Sequence, residues 1–318
     1  MRFVDMHCDT IGILAKEGNR APGLRSNCYH IDLEKMKKGD ALLQCFALYI
    51  ETTSDGKCVD GLTPYELFEY ERKCYERELK LNSDVLAPVY CYSDILKNQK
   101  AGKMSAMLTV EDGVPLDGKI ERVREFYEKG VRLLTFTWNY ENSLGYPNGS
   151  PDDKGLKPFG FEALELMNEL GIIVDVSHLS DRGFWDLAEH SVRPFVASHS
   201  NARTLCPVPR NLTDDMLRAL GEKGGITGLN FASFFLTPGG RHTSIKDILR
   251  HAEYIANVAG IDAVALGSDF DGIDNTLEFK DYTGMPMLEE ALNTVFTARE
   301  VDKITQENAL RVMKECIG

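Results

Sequence analysis

Residues 172–200 read IIVDVSHLSDRGFWDLAEHSVRPFVASHS. A short β-branched run, Ile172–Ser177, ends at His178. Ser180 then offers an N-cap for a helix reaching His190. A second apolar run, Pro194–Ser198, ends at His199. The stretch reads as strand, helix and strand, with one imidazole after each strand. Short and nearly continuous hydrophobicity is what strands buried on both faces of a parallel sheet show.

The same unit recurs to either side. Further apolar runs fall at Phe3–Met6, Ala41–Ile50, Lys103–Val110, Val131–Thr137, Gly225–Asn230 and Ala263–Ser268, which makes eight in the 318-residue chain. Helices are expected between them. Thr63 and Pro64 supply an N-cap and a first-turn proline, and Lys119–Lys129 carries Ile120, Val123 and Phe126 at helical spacing. Phe161–Leu170 stops at Gly171, Thr213–Lys223 at Gly224 and Ser244–Ala259 at Gly260, each a C-cap glycine. Alternating β and α elements imply a parallel sheet with right-handed crossovers. Eight strands in this length predict a closed (β/α)8 barrel, with its active site at the C-terminal ends of the strands. The alternative is an open doubly wound sheet, but no glycine-rich nucleotide motif follows any of the runs.

Hydrophobic residues make up 43% of the chain and charged residues 27%, enough for an ordinary globular core. Against 36 Lys+Arg stand 49 Asp+Glu, a net charge of -13, which argues against a nucleic-acid partner. No apolar stretch is long enough to span a membrane. No signal-peptide core follows MRFVDMHCDT, and ALRVMKECIG lacks the tail of a lipid-anchor signal, so a cytoplasmic protein without a membrane partner is expected. The eight cysteines are scattered with no C-x-x-C pair and read as free thiols.

The chemistry lies where the runs end. His7 and Asp9 follow the first, Glu111 the third, His178 the fifth, His199 the sixth and Asp269 the eighth. In a barrel these ends converge on one face. Residues i and i+2 of a strand point the same way, so His7 and Asp9 can serve one cation while Cys8 points away. Glu111 has two oxygens and can bridge two cations. Neutral imidazoles at His178 and His199 suit zinc. Asp269 can take a proton from a metal-activated water. Asp112, Asp271 and Gly272 read as turn residues, and His30, His190, His242 and His251 as structural or surface histidines.

Taken together, VDMHCDT, TVEDG, LLTFTWNYEN, VDVSHLS, ASHSNARTLCPVPRNLTDDML and ALGSDFDG resemble the renal (membrane) dipeptidase family of metallopeptidases, within the amidohydrolase-like barrel superfamily. The resemblance implies one metallo-hydrolase barrel domain over residues 1–318 and two zinc ions per chain. His7 and Asp9 would bind one and His178 and His199 the other, with Glu111 and a water or hydroxide bridging them. Related barrels often bridge through a carbamylated lysine on strand 4. VRLLTFTWN contains none, in agreement with Glu111 in that role. The resemblance further implies Asp269 as the catalytic base, Arg210 as receiver of the substrate carboxylate, a small dipeptide substrate with a D-residue tolerated at its C-terminal position, and a homodimer. Mammalian members carry a histidine where this chain has Trp138. An indole donates one hydrogen bond but shuttles no proton, so Trp138 and Asn139 are candidate substrate-binding residues and Asn142 a further candidate donor.

Two other readings stay open at this point. The same centre would serve another small amide, a lactam or an N-acyl amino acid, and Mn or Co could replace zinc in an N/O site. From a different class, Trp138 leaves room for a non-catalytic zinc-binding barrel. A mononuclear deaminase would want an acid soon after the fifth-strand histidine, and His178-Leu179-Ser180 offers none.

Overall fold

A computed structural model describes residues 2–18, 22–58, 61–151 and 154–318 of the chain. Its strands are β1 (Phe3–Asp5), β2 (Ala41–Tyr49), β3 (Leu86–Pro88), β4 (Met104–Glu111), β5 (Val131–Thr135), β6 (Ile173–Asp175), β7 (Val196–Ala197), β8 (Ile226–Leu229), β9 (His242–Thr243), β10 (Val264–Leu266) and β11 (Thr276–Leu277). Eight of them form a closed ring in the order β1, β2, β4, β5, β6, β7, β8, β10 and back to β1. Every pairing in the ring is parallel. This is the expected (β/α)8 barrel, and closure rules out the open sheet. β9 and β11 pair with each other outside it.

One barrel-associated strand is not foreshadowed in the sequence. β2 takes one edge of β4 along Ser105–Glu111. β5 takes the other edge at Leu108–Glu111, which leaves Met104–Ala106 for β3. Three residues ending in proline show no alternation, so β3 carries no readable pattern of its own. The run Val131–Thr137 also overreaches: β5 ends at Thr135, and the chain turns off toward Trp138.

The helices start where local chemistry dictates. Thr63 and Glu66 form a reciprocal capping box, with Pro64 in the first turn. Ser180 accepts from the Gly183 N–H at 3.0 Å. The expected helix at Phe161 begins earlier, at Pro158, and ends on Gly171 at φ 85°. The terminal helix Asn308–Ile317 plugs the end of the barrel away from the strand C-termini. Its Asn308 side chain donates to the carbonyls of Ile261, ahead of β10, and of Val264, the first residue of β10, and Arg311 donates to Gly224 O ahead of β8. Its apolar face (Ala309, Val312, Met313 and Cys316) joins Cys45, Met107, Leu133, Ile173, Val196 and Ile226 in one buried cluster. Water is thereby kept out of that end, and the opposite mouth is left for chemistry. Among the described residues no helix is long and apolar enough to cross a membrane, and Cys8, Cys28, Cys45, Cys74, Cys91, Cys206 and Cys316 are free thiols.

Candidate active site

The structure brings all six strand-end groups together. Glu111, the last residue of β4, sits at the centre. Its Oε1 lies 2.9 Å from His178 Nε2 and 3.3 Å from His199 Nε2. Its Oε2 lies 3.5 Å from His7 Nε2. His7 Nε2 is in turn 3.5 Å from Asp9 Oδ2 and 3.9 Å from Asp269 Oδ1. One oxygen of Glu111 thus faces the His178–His199 pair, and the other faces the His7–Asp9 side. Cys8 turns away into the core and pairs with Phe270.

These are buried groups whose charges press on one another. Burial and the neighbouring Glu111 charge raise Asp9 to about 6, against the pull of His7. Burial, with Asp9 and Glu111 close by, holds Asp269 up at about 7. Glu111 goes the other way: burial is outweighed by the His7 charge and by the His178 and His199 rings packed against it, and it stays well below the usual carboxylate range. Burial opposes a charge on His7, yet Glu111 and Asp9 raise it well above the ordinary value. Burial and Arg210 push His178 down to about 4, and burial, His7 and Arg210 push His199 well down. Two neutral imidazoles and crowded carboxylates make a donor set that suits zinc. His7 Nε2 and Asp9 Oδ1 are buried without a hydrogen-bond partner, as atoms awaiting a cation would be. His7, Asp9, Glu111, His178 and His199 could therefore hold metal.

The backbone is bent to aim these groups. His178 and Asp269 sit at φ 69° and 61°, a left-handed conformation costing roughly 1–3 kcal/mol in a non-glycine residue. Neighbours hold both bends. His178 O accepts from Thr137 Oγ1 at 3.1 Å and from the Asn148 backbone N–H at 2.7 Å. Asp269 Oδ2 accepts from Asn230 Nδ2 at 2.8 Å. Two buried aspartates lock adjacent strands: Asp5 accepts from the Ser268 N–H and hydroxyl at 2.8 and 2.6 Å, and Asp175 from those of Ser198 at 2.8 and 2.5 Å. Each serine directly precedes a site residue, Asp269 or His199. Sequence reasoning passed over Asp5, Asp175, Ser198, Ser268 and Asn230. A signal was there, since Val-Asp precedes a histidine by two or three residues twice, at 4–7 and 174–178.

Above the cluster opens a cavity of about 700 Å³, lined by Asp9, Glu111, His178, Asp269, Trp138, Asn139, Arg210, Tyr49, Phe234 and Phe235 among others. Tyr49 meets Trp138 edge-on at 5.0 Å, and Trp138 leans on His178 at 6.3 Å. Arg210 is 6% exposed. Its guanidinium donates to Ser200 Oγ at 2.6 Å and His199 O at 3.1 Å, while its Nε has no partner. Asn142 does not fit the donor role expected of it. Its amide donates to Asp112 Oδ1 and Phe136 O, both at 2.7 Å, and its oxygen accepts from the Leu144 N–H, so it braces a turn. Asp271 is more than a turn residue, accepting from Thr10 Oγ1 at 2.5 Å and the His30 N–H at 2.6 Å beside the cavity. His30, His190, His242 and His251 lie outside the cluster and hydrogen-bond elsewhere.

Comparison with known proteins agrees with this geometry. The family profile described as membrane dipeptidase (peptidase family M19) matches residues 1–317. An uncharacterized protein from the pqqA 5' region of Klebsiella pneumoniae is 40% identical over 233 residues, covering 70% of this chain and 86% of that protein. An uncharacterized dipeptidase of Schizosaccharomyces pombe is 34% identical over 300 residues, covering 90% and 72%. Among solved structures, a Rhodobacter sphaeroides metallopeptidase liganded with a phosphinate mimic of the dipeptide L-Ala-D-Ala superposes with a TM-score of 0.90 at 26% identity, over 99% of each chain. The M19 dipeptidase AC gives the same TM-score and identity over 100% and 99%. With a profile match across the chain and a relative at 34% identity over nine-tenths of it, this protein belongs to the membrane dipeptidase family of metallopeptidases, peptidase family M19.

Proposed function

We propose that the protein hydrolyses the peptide bond of small dipeptides, including those ending in a D-residue, at a pair of zinc ions held by His7 and Asp9 on one side and His178 and His199 on the other, with Glu111 shared between them. The observation that carries this reading is the division of Glu111, with Oε1 turned to one histidine pair and Oε2 to His7. Bound there, zinc supplies a Lewis acid and lowers the pKa of water from about 15.7 to about 7.

The chain's own residues do the rest. Asp269, held near neutrality by burial and oriented by Asn230, accepts the proton of the attacking water and passes it to the leaving amine. Arg210, with no carboxylate partner of its own among the described residues, receives the C-terminal carboxylate of the substrate. Its place in the wall of a cavity this size favours dipeptides over longer chains. Trp138 and Tyr49 form an aromatic side of the pocket, and Asn139 at its rim is a candidate contact to the substrate. The L-Ala-D-Ala mimic bound by the Rhodobacter relative supports D-residues at the second position.

The test is metal analysis together with turnover of L,L and L,D dipeptides. Two zincs per chain and hydrolysis are expected, with Asp269→Asn keeping its metal and losing turnover. A wild-type protein that binds zinc and turns over only lactams or N-acyl amino acids would redirect the substrate assignment, and one that turns over nothing would favour a binding protein. We further propose a cytoplasmic location, which scattered cysteines without a C-x-x-C pair support, and a homodimer, to be checked by fractionation and by light scattering.

A further inference from the structure

We propose that Ser198 and Asp175 form a positioning relay that fixes the ring proton of His199 on Nδ1, so that Nε2 is presented bare to the metal centre. The inference rests on the reading of His199 as a zinc ligand.

Ser198 Oγ lies 2.6 Å from His199 Nδ1 and 2.5 Å from Asp175 Oδ2. A hydroxyl has one proton to give, and an ionised carboxylate has none. The Ser198 proton therefore goes to Asp175, and the serine oxygen accepts from His199 Nδ1–H. The opposite nitrogen, Nε2, is left as a lone pair facing the Glu111 Oε1 and His178 Nε2 corner at 3.3 and 3.2 Å. The other hydroxyl near Ser198 Oγ, that of Ser177, is 3.4 Å away and does not compete for the proton.

Asp175 is built to be the fixed end of this chain. It is fully buried. Its Oδ1 accepts from the backbone N–H groups of Ser177 and Ser198 at 2.9 and 2.8 Å, and its Oδ2 from the hydroxyls of Thr135 and Ser198 at 2.7 and 2.5 Å. Four donors drawn from β5, β6 and β7 and their ends clamp the carboxylate, and none of them is a cation. Its charge is thus felt along Ser198 at the imidazole. A bond of this kind orients a metal-binding histidine and makes it a better ligand. His178, which shares Glu111 Oε1 with His199, has no partner on Nδ1, so the relay serves one histidine of the pair.

Two variants separate a relay from simple packing. Ser198→Ala removes the acceptor and frees the ring. In Asp175→Asn the backbone amides keep the amide oxygen on their side and turn the NH2 toward Ser198. The serine hydroxyl must then donate to His199 Nδ1 and drive the ring proton to Nε2. The readouts are the imidazole N–H signals of the 15N-histidine-labelled full chain freed of zinc by chelation, so that no metal on Nε2 dictates the tautomer, and zinc affinity by competition with a chromophoric chelator. The expected result is a His199 Nδ1–H signal in the wild type that vanishes in both variants. One zinc should bind about 10- to 100-fold more weakly in Ser198→Ala, more weakly still in Asp175→Asn, and close to normally in Ser198→Thr, which restores the hydroxyl. A Ser198→Ala protein with unchanged ring signal and zinc affinity overturns the relay, as does an Asp175→Asn protein that folds and binds zinc as tightly as wild type. If Asp175→Asn does not fold, Ser198→Ala decides alone. If the wild type takes up no zinc, the metal reading fails, and the Nδ1–H signal still reports on the relay.

Discussion

Gly272 is where a single methyl group should do the most damage for its size. A Cβ built there would stand 2.1 Å from Asp9 Oδ2 and 2.6 Å from Asp269 Oδ1. Real Cβ contacts essentially never fall under 3.0 Å, so in Gly272→Ala both carboxylates must move, Asp9 by roughly 1 Å, and a misplacement of that size can cost about 100-fold in rate. The glycine is not in the left-handed region, so alanine brings no backbone strain of its own. The effect should therefore fall on the site more than on the fold. We expect kcat/KM on a dipeptide to drop about 100-fold, equivalent to ~2.7 kcal/mol of transition-state stabilisation, and zinc content to fall toward one per chain as the His7–Asp9 side loosens. Overpacking should lower global stability by no more than about 1–3 kcal/mol. Steady-state kinetics, metal analysis and a thermal melt on the same preparation separate these effects. A Gly272→Ala protein with both zincs and kcat/KM within about twofold of wild type would show that Asp9 and Asp269 are not set where the geometry puts them.

Arg210→Lys keeps the charge but loses the planar fork, and should raise KM for dipeptides about 30-fold, or ~2 kcal/mol of charge-assisted hydrogen bonding; dipeptide amides, which lack the carboxylate, should be untouched. Chelation should lower the melting temperature and zinc should restore it, because an ion that binds only the folded chain at ~1,000 times its Kd adds about 4 kcal/mol. His251 gives a pH signature away from the metal. Burial holds it down at about 4; its Nδ1 accepts from the Ala202 N–H at 3.1 Å and its Nε2–H donates to Leu236 O at 2.9 Å. The unfolded chain takes up this proton near pH ~6.5 and the folded chain only near 4, so the unfolded state holds more protons in between and stability falls as pH drops through that window, by up to about 3 kcal/mol. His251→Gln should be the less stable protein at pH 7.5 and lose less on acidification; parallel denaturation curves for the two would refute the assignment.

How much of this could be read in advance depends on whether a residue's role is local or borrowed from a neighbouring strand. The ligand positions were legible because chain order and geometry coincide. A strand buried on both faces must be apolar, so the first His, Asp or Glu after it marks its C-terminal end, and barrel closure carries every such end to one mouth. That logic placed His7, Asp9, Glu111, His178, His199 and Asp269 without knowledge of a single contact. It was silent about Asp5 and Asp175, which lie inside the runs and look like interruptions. Their partners Ser268 and Ser198 sit on the next strand of the ring, and which serine faces which aspartate is a matter of register between elements hundreds or tens of residues apart. Asn142 shows the converse: close in sequence to Trp138, it seemed free to reach the substrate, but the turn at Asp112 and Phe136 had already taken both of its N–H donors. Tyr49, the last residue of β2, carries no signal in the sequence, and only its packing against Trp138 makes it a wall of the cavity. The ligands can therefore be named from pattern alone, while the groups that hold them at working distance become visible only once the ring has closed. That is why the variants most able to refute this account, at Gly272, Ser198 and Asp175, change residues that bind neither metal nor substrate.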